Sequence, residues 1–344
     1  MNVAIPTEKK IEALAQLGRY ILYERAAVNA LTEQAFRHNK WFTPDNVNYA
    51  LKAIASEYLE ESKLRQWLAG YSIPEYVNPK RVGLIMAGNI PLAGFHDFLC
   101  VLLTHHHAVV KLSSKDDVLL PFLAGRLCAI EPSFREHFEF AERLTALDAV
   151  IATGSNNSSR YFEYYFGKYP HIFRKNRNSI AILSGRESRG NLMHLGDDIF
   201  LYFGMGCRNV SKIYVPTNFQ FDVFLQALSP FSTLLMHDGY RNNYDYQRAV
   251  LLMNNIPHYA NEFMMLRESA SFSAPLATLH FEYYDDLFTL KETLSLHSDK
   301  IQCIVGNEDL QSIFPNIVPW GKSQRPALHD FADGVDTMRF LTAL

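Results

Sequence analysis

Between residues 81 and 183, short apolar runs alternate with stretches of helical periodicity, and this alternation admits few folds. Residues 81–87, 108–112, 149–152 and 179–183 read as strands, and residues 92–103, 119–130 and 158–166 read as helices. Strands that alternate with crossover helices imply a largely parallel sheet. In open sheets of this kind, ligands bind in the loops outside the carboxyl ends of the strands.

The flanking sequence differs in pattern. Residues 8–70 read as helical, with Ile11, Leu14, Leu17 and Ile21 at helical spacing. Thr43, Pro44 and Asp45 form an N-cap signal with proline at the first helical position, the pattern continues through Val47 to Leu59, and Gly70 ends a third short helix. Residues 185–190 read as a linker, and a second α/β unit follows from Leu192, with strands near residues 213–215 and 301–305. The tail from Pro315 begins irregularly and ends apolar. A chain of 344 residues exceeds one compact core, so two domains are expected. The division is a helical segment at 1–78, a dinucleotide-binding α/β domain at 79–188, a catalytic α/β domain at 189–318 and a closing, oligomerising segment at 319–344.

A formal net charge of −3 supplies no basic field, which argues against nucleic acid as a partner. Thr104 and His105–His107 interrupt the longest apolar runs, and none approaches the roughly 18 residues of a membrane span. No uninterrupted apolar block follows Lys9 and Lys10, so no secretory leader is read there. The four cysteines form no CxxC pair, which suits a reducing cytoplasm.

Gly204-Met205-Gly206-Cys207-Arg208-Asn209 places a thiol between glycines and a basic residue, just ahead of an apolar strand. Glycines let backbone approach a reacting carbonyl closely, and a thiol beside positive charge ionises more readily. Asn89, in Ala87-Gly88-Asn89-Ile90-Pro91-Leu92, sits where an amide can aim at an oxyanion, a contribution of ~3 kcal/mol, or can cap the next helix. Thr153-Gly154-Ser155 forms a strand-to-helix turn suited to phosphate, or merely a crossover turn. Lys111 closes a strand at its carboxyl end, where it faces ligand or solvent. Cys100, Cys128 and Cys303 sit among apolar residues and read as core. Consecutive His105, His106 and His107 do not share a face and do not make a metal site, so no metal is expected. The aromatic run 281–288, with Asp285 and Asp286 inside it, reads as core and pocket wall.

Taken in order, these segments resemble the aldehyde dehydrogenase superfamily and, more closely, its long-chain acyl-CoA reductase branch, the fatty acid reductases that supply aldehyde to bacterial luciferase. The resemblance runs from about Arg81 to Leu344. Asn89 falls on the superfamily's oxyanion asparagine. Lys111, Ser113 and Ser114 fall on the segment that holds the adenosine ribose, and Thr153, Gly154 and Ser155 on the turn beside the pyrophosphate. Cys207 falls on the nucleophile, and the stretch from Pro319-Trp320-Gly321 to Phe340 on the closing segment.

The resemblance implies an aldehyde dehydrogenase-like α/β fold, two Rossmann-like domains behind a helical N-terminal segment. It also implies NADPH-dependent reduction of an acyl-CoA or acyl-carrier thioester to aldehyde, through a thioester on Cys207. Arg174 falls on the glutamate that activates water in hydrolytic members, and arginine cannot act as a base there. With Arg208, it is a candidate to lower the Cys207 pKa or to meet CoA phosphates. Ser114 replaces a glutamate that would repel a 2′-phosphate, and Lys115 adds positive charge, so NADPH is expected over NADH. A homodimer and docking to an acyl-protein synthetase are further expectations. Two other readings fit the same residues: an aldehyde dehydrogenase working in the oxidative, CoA-acylating direction, and a carrier subunit that holds an acyl group without reducing it.

Overall fold

The computed structural model describes residues 5–74, 78–154 and 156–344. The chain divides into two compact units, one formed by Met1–Asn176 with Arg325–Leu344, the other by Arg177–Gln324.

The first unit opens with four helices, α1 (Thr7–Tyr23), α2 (Arg25–His38), α3 (Pro44–Glu57) and α4 (Glu61–Leu68). The α1 periodicity buries Ile11, Leu14, Leu17 and Ile21, and Lys10 lies on the same buried face. Thr43 caps α3 as its sequence signal implies, its hydroxyl accepting the Asn46 N–H at 3.4 Å. Next come β1 (Arg81–Ile85), α5 (Phe95–Leu103), β2 (His107–Lys111), α6 (Leu119–Ile130), β3 (Phe138–Phe140), β4 (Ala149–Thr153), α7 (Asn156–Phe166) and β5 (His171–Arg174). The sheet is parallel, in the order β3-β2-β1-β4-β5. The strand order therefore reverses between β1 and β4, and a doubly wound sheet opens a crevice at that reversal. Helix α5 starts at Phe95 rather than at Leu92 because Leu92 adopts φ 58° and gives its N–H to the Asp116 carboxylate at 2.7 Å.

The second unit contains β6 (Asn178–Ile182), α8 (Arg189–Phe200), β7 (Val210–Pro216), α9 (Phe221–Ala227), α10 (Asp238–Met253), β8 (Tyr259–Ala260), β9 (Met265–Glu268), β10 (Thr278–Tyr284), α11 (Leu287–Ser295), β11 (Ile301–Gly306) and β12 (Ile317–Val318). Its sheet runs β12-β11-β6-β7-β10-β9-β8, and only β8 is antiparallel to its neighbour. Ile213, Val215, Leu279 and Phe281 bury one face with Leu192 and Leu195 of α8. Lys212 and His280, paired in register, lie on the other. There the connection from β9 to β10 carries no helix, and side chains take up its carbonyls. Lys212 Nζ donates to Ala270 at 3.0 Å, His280 Nδ1 lies 2.9 Å from the Ser271 oxygen, and Ser211 donates to Phe272 at 2.6 Å. Lys212 also pairs with Glu282. Lys212 and His280, both buried, and the half-buried Ser211 supply partners to this backbone.

The chain then returns to the first unit, where α12 (Thr337–Thr342) buries Met338 and Leu341. Two boundaries differ from the expected division. Strand β6 pairs with β7 and β11, so the units part at 176/177 rather than at 188/189, and residues 325–344 belong to the first unit. Short polar-flanked strands such as β6 carry no mark of the sheet they will join, because register depends on distant partners.

Candidate active site

Cys207 precedes β7, at the end of a loop that begins where α8 stops. Tyr202 and Phe203 adopt φ of 53° and 58°, and Gly204 follows at 77°. Left-handed geometry costs a non-glycine residue ~1–2 kcal/mol, so the surroundings must impose it. The Phe203 ring packs 4.4 Å from His237 and 6.0 Å from Tyr240. The last carbonyls of α8 lack helical partners, and the buried Asn209 side chain supplies them. Its Nδ2 lies 3.1, 3.3 and 2.8 Å from the carbonyl oxygens of Asp198, Ile199 and Leu201, while its Oδ1 accepts the Gly206 N–H at 2.8 Å. Ser179 of β6 donates to the Cys207 carbonyl at 3.0 Å. Arg208 Nε donates to the Ser323 carbonyl at 2.7 Å. The Asp198 carboxylate accepts the Gly321 and Ser323 N–H groups at 2.7 and 2.9 Å, and burial lifts its pKa to about 6. The result is a fixed main chain around an exposed cysteine, the form in which a thiol can act as a nucleophile.

In the first unit, the expected cofactor residues converge on the carboxyl edge of its sheet. Ile85 of β1 registers with Lys111 of β2 and Ala152 of β4, so the turns that follow these strands start side by side. Asn89 lies exposed in the turn after β1. The preceding Gly88 is buried, and a Cβ there would stand 2.4 Å from Ser113 Oγ, so glycine is required for the two turns to touch. Asp116 braces the same pair of turns through the Leu92 N–H, and burial raises its pKa to about 6. Ser113 Oγ accepts the Lys115 N–H at 3.3 Å, and Ser114 and Lys115 are exposed beside it. Lys111 Nζ donates to the Glu142 carbonyl at 2.6 Å, a partner that its sequence position did not suggest. Thr153 ends β4, Gly154 N–H reaches the Arg174 carbonyl at 3.4 Å, and α7 begins at Asn156. Ser155 lies outside the described residues.

Arg174 requires a correction. It is buried in the first unit, ion-paired with Asp97, and donates to the Thr337 hydroxyl at 2.8 Å. Its guanidinium is thus buried and engaged within the first unit, rather than the open cation expected of it. The three histidines are likewise structural. His105 meets Lys10 Nζ at 2.9 Å, His106 Nε2 lies 2.9 Å from the Leu341 oxygen, and His107 Nδ1 lies 2.9 Å from that of Glu136. Among the described residues, no His/Cys/Asp/Glu group is arranged to hold a metal ion. Cys100 and Cys128 are buried, whereas Cys303 is half-buried, 3.0 Å from Ser179 Oγ. The aromatic run is split: Phe281 is core, and Phe288 is 66% exposed.

Sequence reasoning missed Asn209, Asp198 and Ser179. The one signal available was Asp198 itself, an acid on the apolar side of a helix; its partners lie more than a hundred residues away.

A family model described as Acyl-CoA reductase (LuxC) matches residues 6–229. Comparison with curated proteins gave no match. Among solved structures, aldehyde dehydrogenase 21 from Physcomitrella patens, in complex with the reaction product succinate, aligns with a TM-score of 0.72 at 10% identity, covering 99% of this chain and 84% of that one. The putative aldehyde dehydrogenase PutA from Anabaena variabilis aligns at 0.65 and 16% identity, covering 91% and 79%. The Mycobacterium tuberculosis aldehyde dehydrogenase complexed with NAD+ aligns at 0.62 and 14% identity, covering 92% and 77%. At these identities the likeness establishes the aldehyde dehydrogenase fold. The family match spans more than half of the sequence, and the chain belongs to the acyl-CoA reductase (LuxC) family.

Proposed function

We propose that this protein reduces a long-chain acyl-CoA, or a related acyl thioester, to the fatty aldehyde, with Cys207 as the acyl acceptor and NADPH as reductant. The observation that carries the reading is the exposed Cys207 on a loop fixed through Asn209, Ser179 and Arg208. In this reading the Cys207 thiolate attacks the substrate carbonyl, the carbon–sulfur bond to CoA breaks, and the acyl group remains on Cys207 as a thioester. Asn89 takes the oxyanion-donor role that the family resemblance gives it.

The carboxyl edge of the first sheet fits a dinucleotide. Gly88 keeps two turns in contact at the strand reversal, and the turn after β4 leads directly into a helix. Ser113, Ser114, Lys111, Thr153, Gly154 and Ser155 are the residues proposed to hold it. When bound, the nicotinamide supplies the hydride that reduces the thioester. The solved relative from Mycobacterium tuberculosis carries NAD+, and Ser114 beside Lys115 supports NADPH in this chain, since neither side chain repels a 2′-phosphate.

The test is wild type against Cys207→Ala with a long-chain acyl-CoA. The wild type is expected to carry the acyl mass on the Cys207 peptide and to oxidise NADPH in preference to NADH. The variant should lose both the label and at least 99% of turnover. Undiminished NADPH oxidation in the variant rejects the nucleophile, and an acylated wild type that consumes no reduced nicotinamide favours a carrier instead.

A further inference from the structure

We infer that Asp198 is a positioning residue for Cys207, acting through the segment 319–323 as a clamp on the nucleophile loop. The inference rests on the proposed role of Cys207 and adds a determinant that lies outside the reacting atoms.

The side chains close a ring. From α8, the Asp198 carboxylate holds the Gly321 and Ser323 N–H groups at 2.7 and 2.9 Å. From the other side of the same segment, the Ser323 carbonyl accepts Arg208 Nε at 2.7 Å. Arg208 adjoins Cys207, and the next residue, Asn209, returns to the Asp198 carbonyl at 3.1 Å. The two residues that follow Cys207 are thus both tied to Asp198, Asn209 directly through its main-chain carbonyl and Arg208 through Ser323 and the carboxylate. Asp198 is 1% exposed and Ser323 is fully buried, so water does not replace these bonds cheaply. Gly321 sits at φ 74°, a conformation that L side chains rarely adopt, and a Cβ there would stand 3.2 Å from His194 Cβ. A helical acid buried only to support its own fold would need no link to the residue beside the nucleophile. This one is linked to it through Ser323, and its carbonyl holds the next residue, Asn209.

Asp198→Asn keeps volume and helix but sets an N–H₂ against one of the two backbone N–H groups. Three measurements apply: amide hydrogen exchange at Gly321 and Ser323, the rate of iodoacetamide modification of Cys207, and kcat and KM with acyl-CoA. Expected are at least tenfold faster exchange, a Cys207 modification rate changed at least threefold, and kcat lowered at least tenfold with KM within twofold. Asp198→Glu, which restores two acceptor oxygens, should recover part of kcat, and Asp222→Asn on the exposed start of α9 should change none of the three. If Asp198→Asn does not fold, Arg208→Gln opens the ring from its other side and should give the same pattern. Unaltered exchange, or faster exchange with kcat and Cys207 modification both unchanged, overturns the inference. Should the wild type form no acyl-enzyme, the proposed function fails alone, and exchange and modification still decide the clamp.

Discussion

The two units build their candidate sites in opposite ways. In the first, Asn89 and Ser113 follow the carboxyl ends of β1 and β2, Thr153 closes β4, and main-chain register sets these strand ends side by side. In the second, Cys207 precedes its strand, and register contributes little to its placement. The Ser179 side chain of β6, and the loop's own Asn209 and Arg208 side chains bonded to carbonyls of α8 and of Ser323, hold it instead. A site made from strand ends is set by the fold itself. A site made by side-chain clamps depends on a few individual residues, so single substitutions should affect it far more.

The sharpest way to break that contrast is Asn209→Ala. The change leaves three helix-terminal carbonyls and the Gly206 N–H without their partner in a buried setting. We expect kcat to fall at least 100-fold and stability to drop by about 1–3 kcal/mol, read by steady-state kinetics and denaturant unfolding. A variant that keeps kcat within threefold would mean that the loop holds itself by main chain alone, and the two sites would then be alike.

Gly88→Ala addresses the other half with a smaller effect. The new Cβ would stand 2.4 Å from Ser113 Oγ and 3.1 Å from Lys115 Cβ, so the turns after β1 and β2 must separate. NADPH affinity by calorimetry should weaken about tenfold, while iodoacetamide modification of Cys207 stays within twofold of wild type. Unchanged affinity would remove this contact from the cofactor site.

The same contrast explains what could be read from the sequence. Strands β3 and β5 were not foreseen, whereas helix α6 and the strands β1, β2 and β4 emerge within a few residues of their expected positions because their apolar periods are local. The turns after those strands were legible for the same reason. The sheet membership of β6, the helix α10 and the strands β9 and β10 were not. Helix α10 begins Asp-Gly-Tyr-Arg-Asn-Asn-Tyr-Asp and carries a largely polar surface, and β9 is only four residues long. Arg174 misled because its alignment position suggested chemistry, whereas its partner Asp97 lies on α5 and belongs to the fold. Asn209 and Asp198 went unseen because a buried amide or carboxylate acquires its meaning from partners that only folding supplies.

Lys10 is a further case, with the smallest expected effect. The spacing of Ile11, Leu14, Leu17 and Ile21 places Lys10 on the buried face of α1, where Nζ reaches the Leu102 carbonyl at 2.5 Å and His105 Nδ1 at 2.9 Å. Burial lowers its pKa from 10.5 to about 7. Between those two values the unfolded chain binds a proton that the folded chain does not, so stability should rise with pH across that window and be insensitive to this group below pH 7. The slope attributable to one such proton is at most ~1.4 kcal/mol per pH unit. Lys212, whose pKa burial also lowers, faces its carboxylate partner Glu282 and contributes on the same side. Lys10→Met separates the two, since it keeps the apolar stem and removes only the titrating amine. Urea unfolding at pH 7, 8, 9 and 10 should show a shallower rise in the variant by about one proton, with turnover of the folded enzyme unchanged. A slope identical to wild type would mean that the amine stays charged in the folded helix, held there by Leu102 and His105. Clamping by side chains would then be strong enough in the first unit too, where strand register otherwise governs.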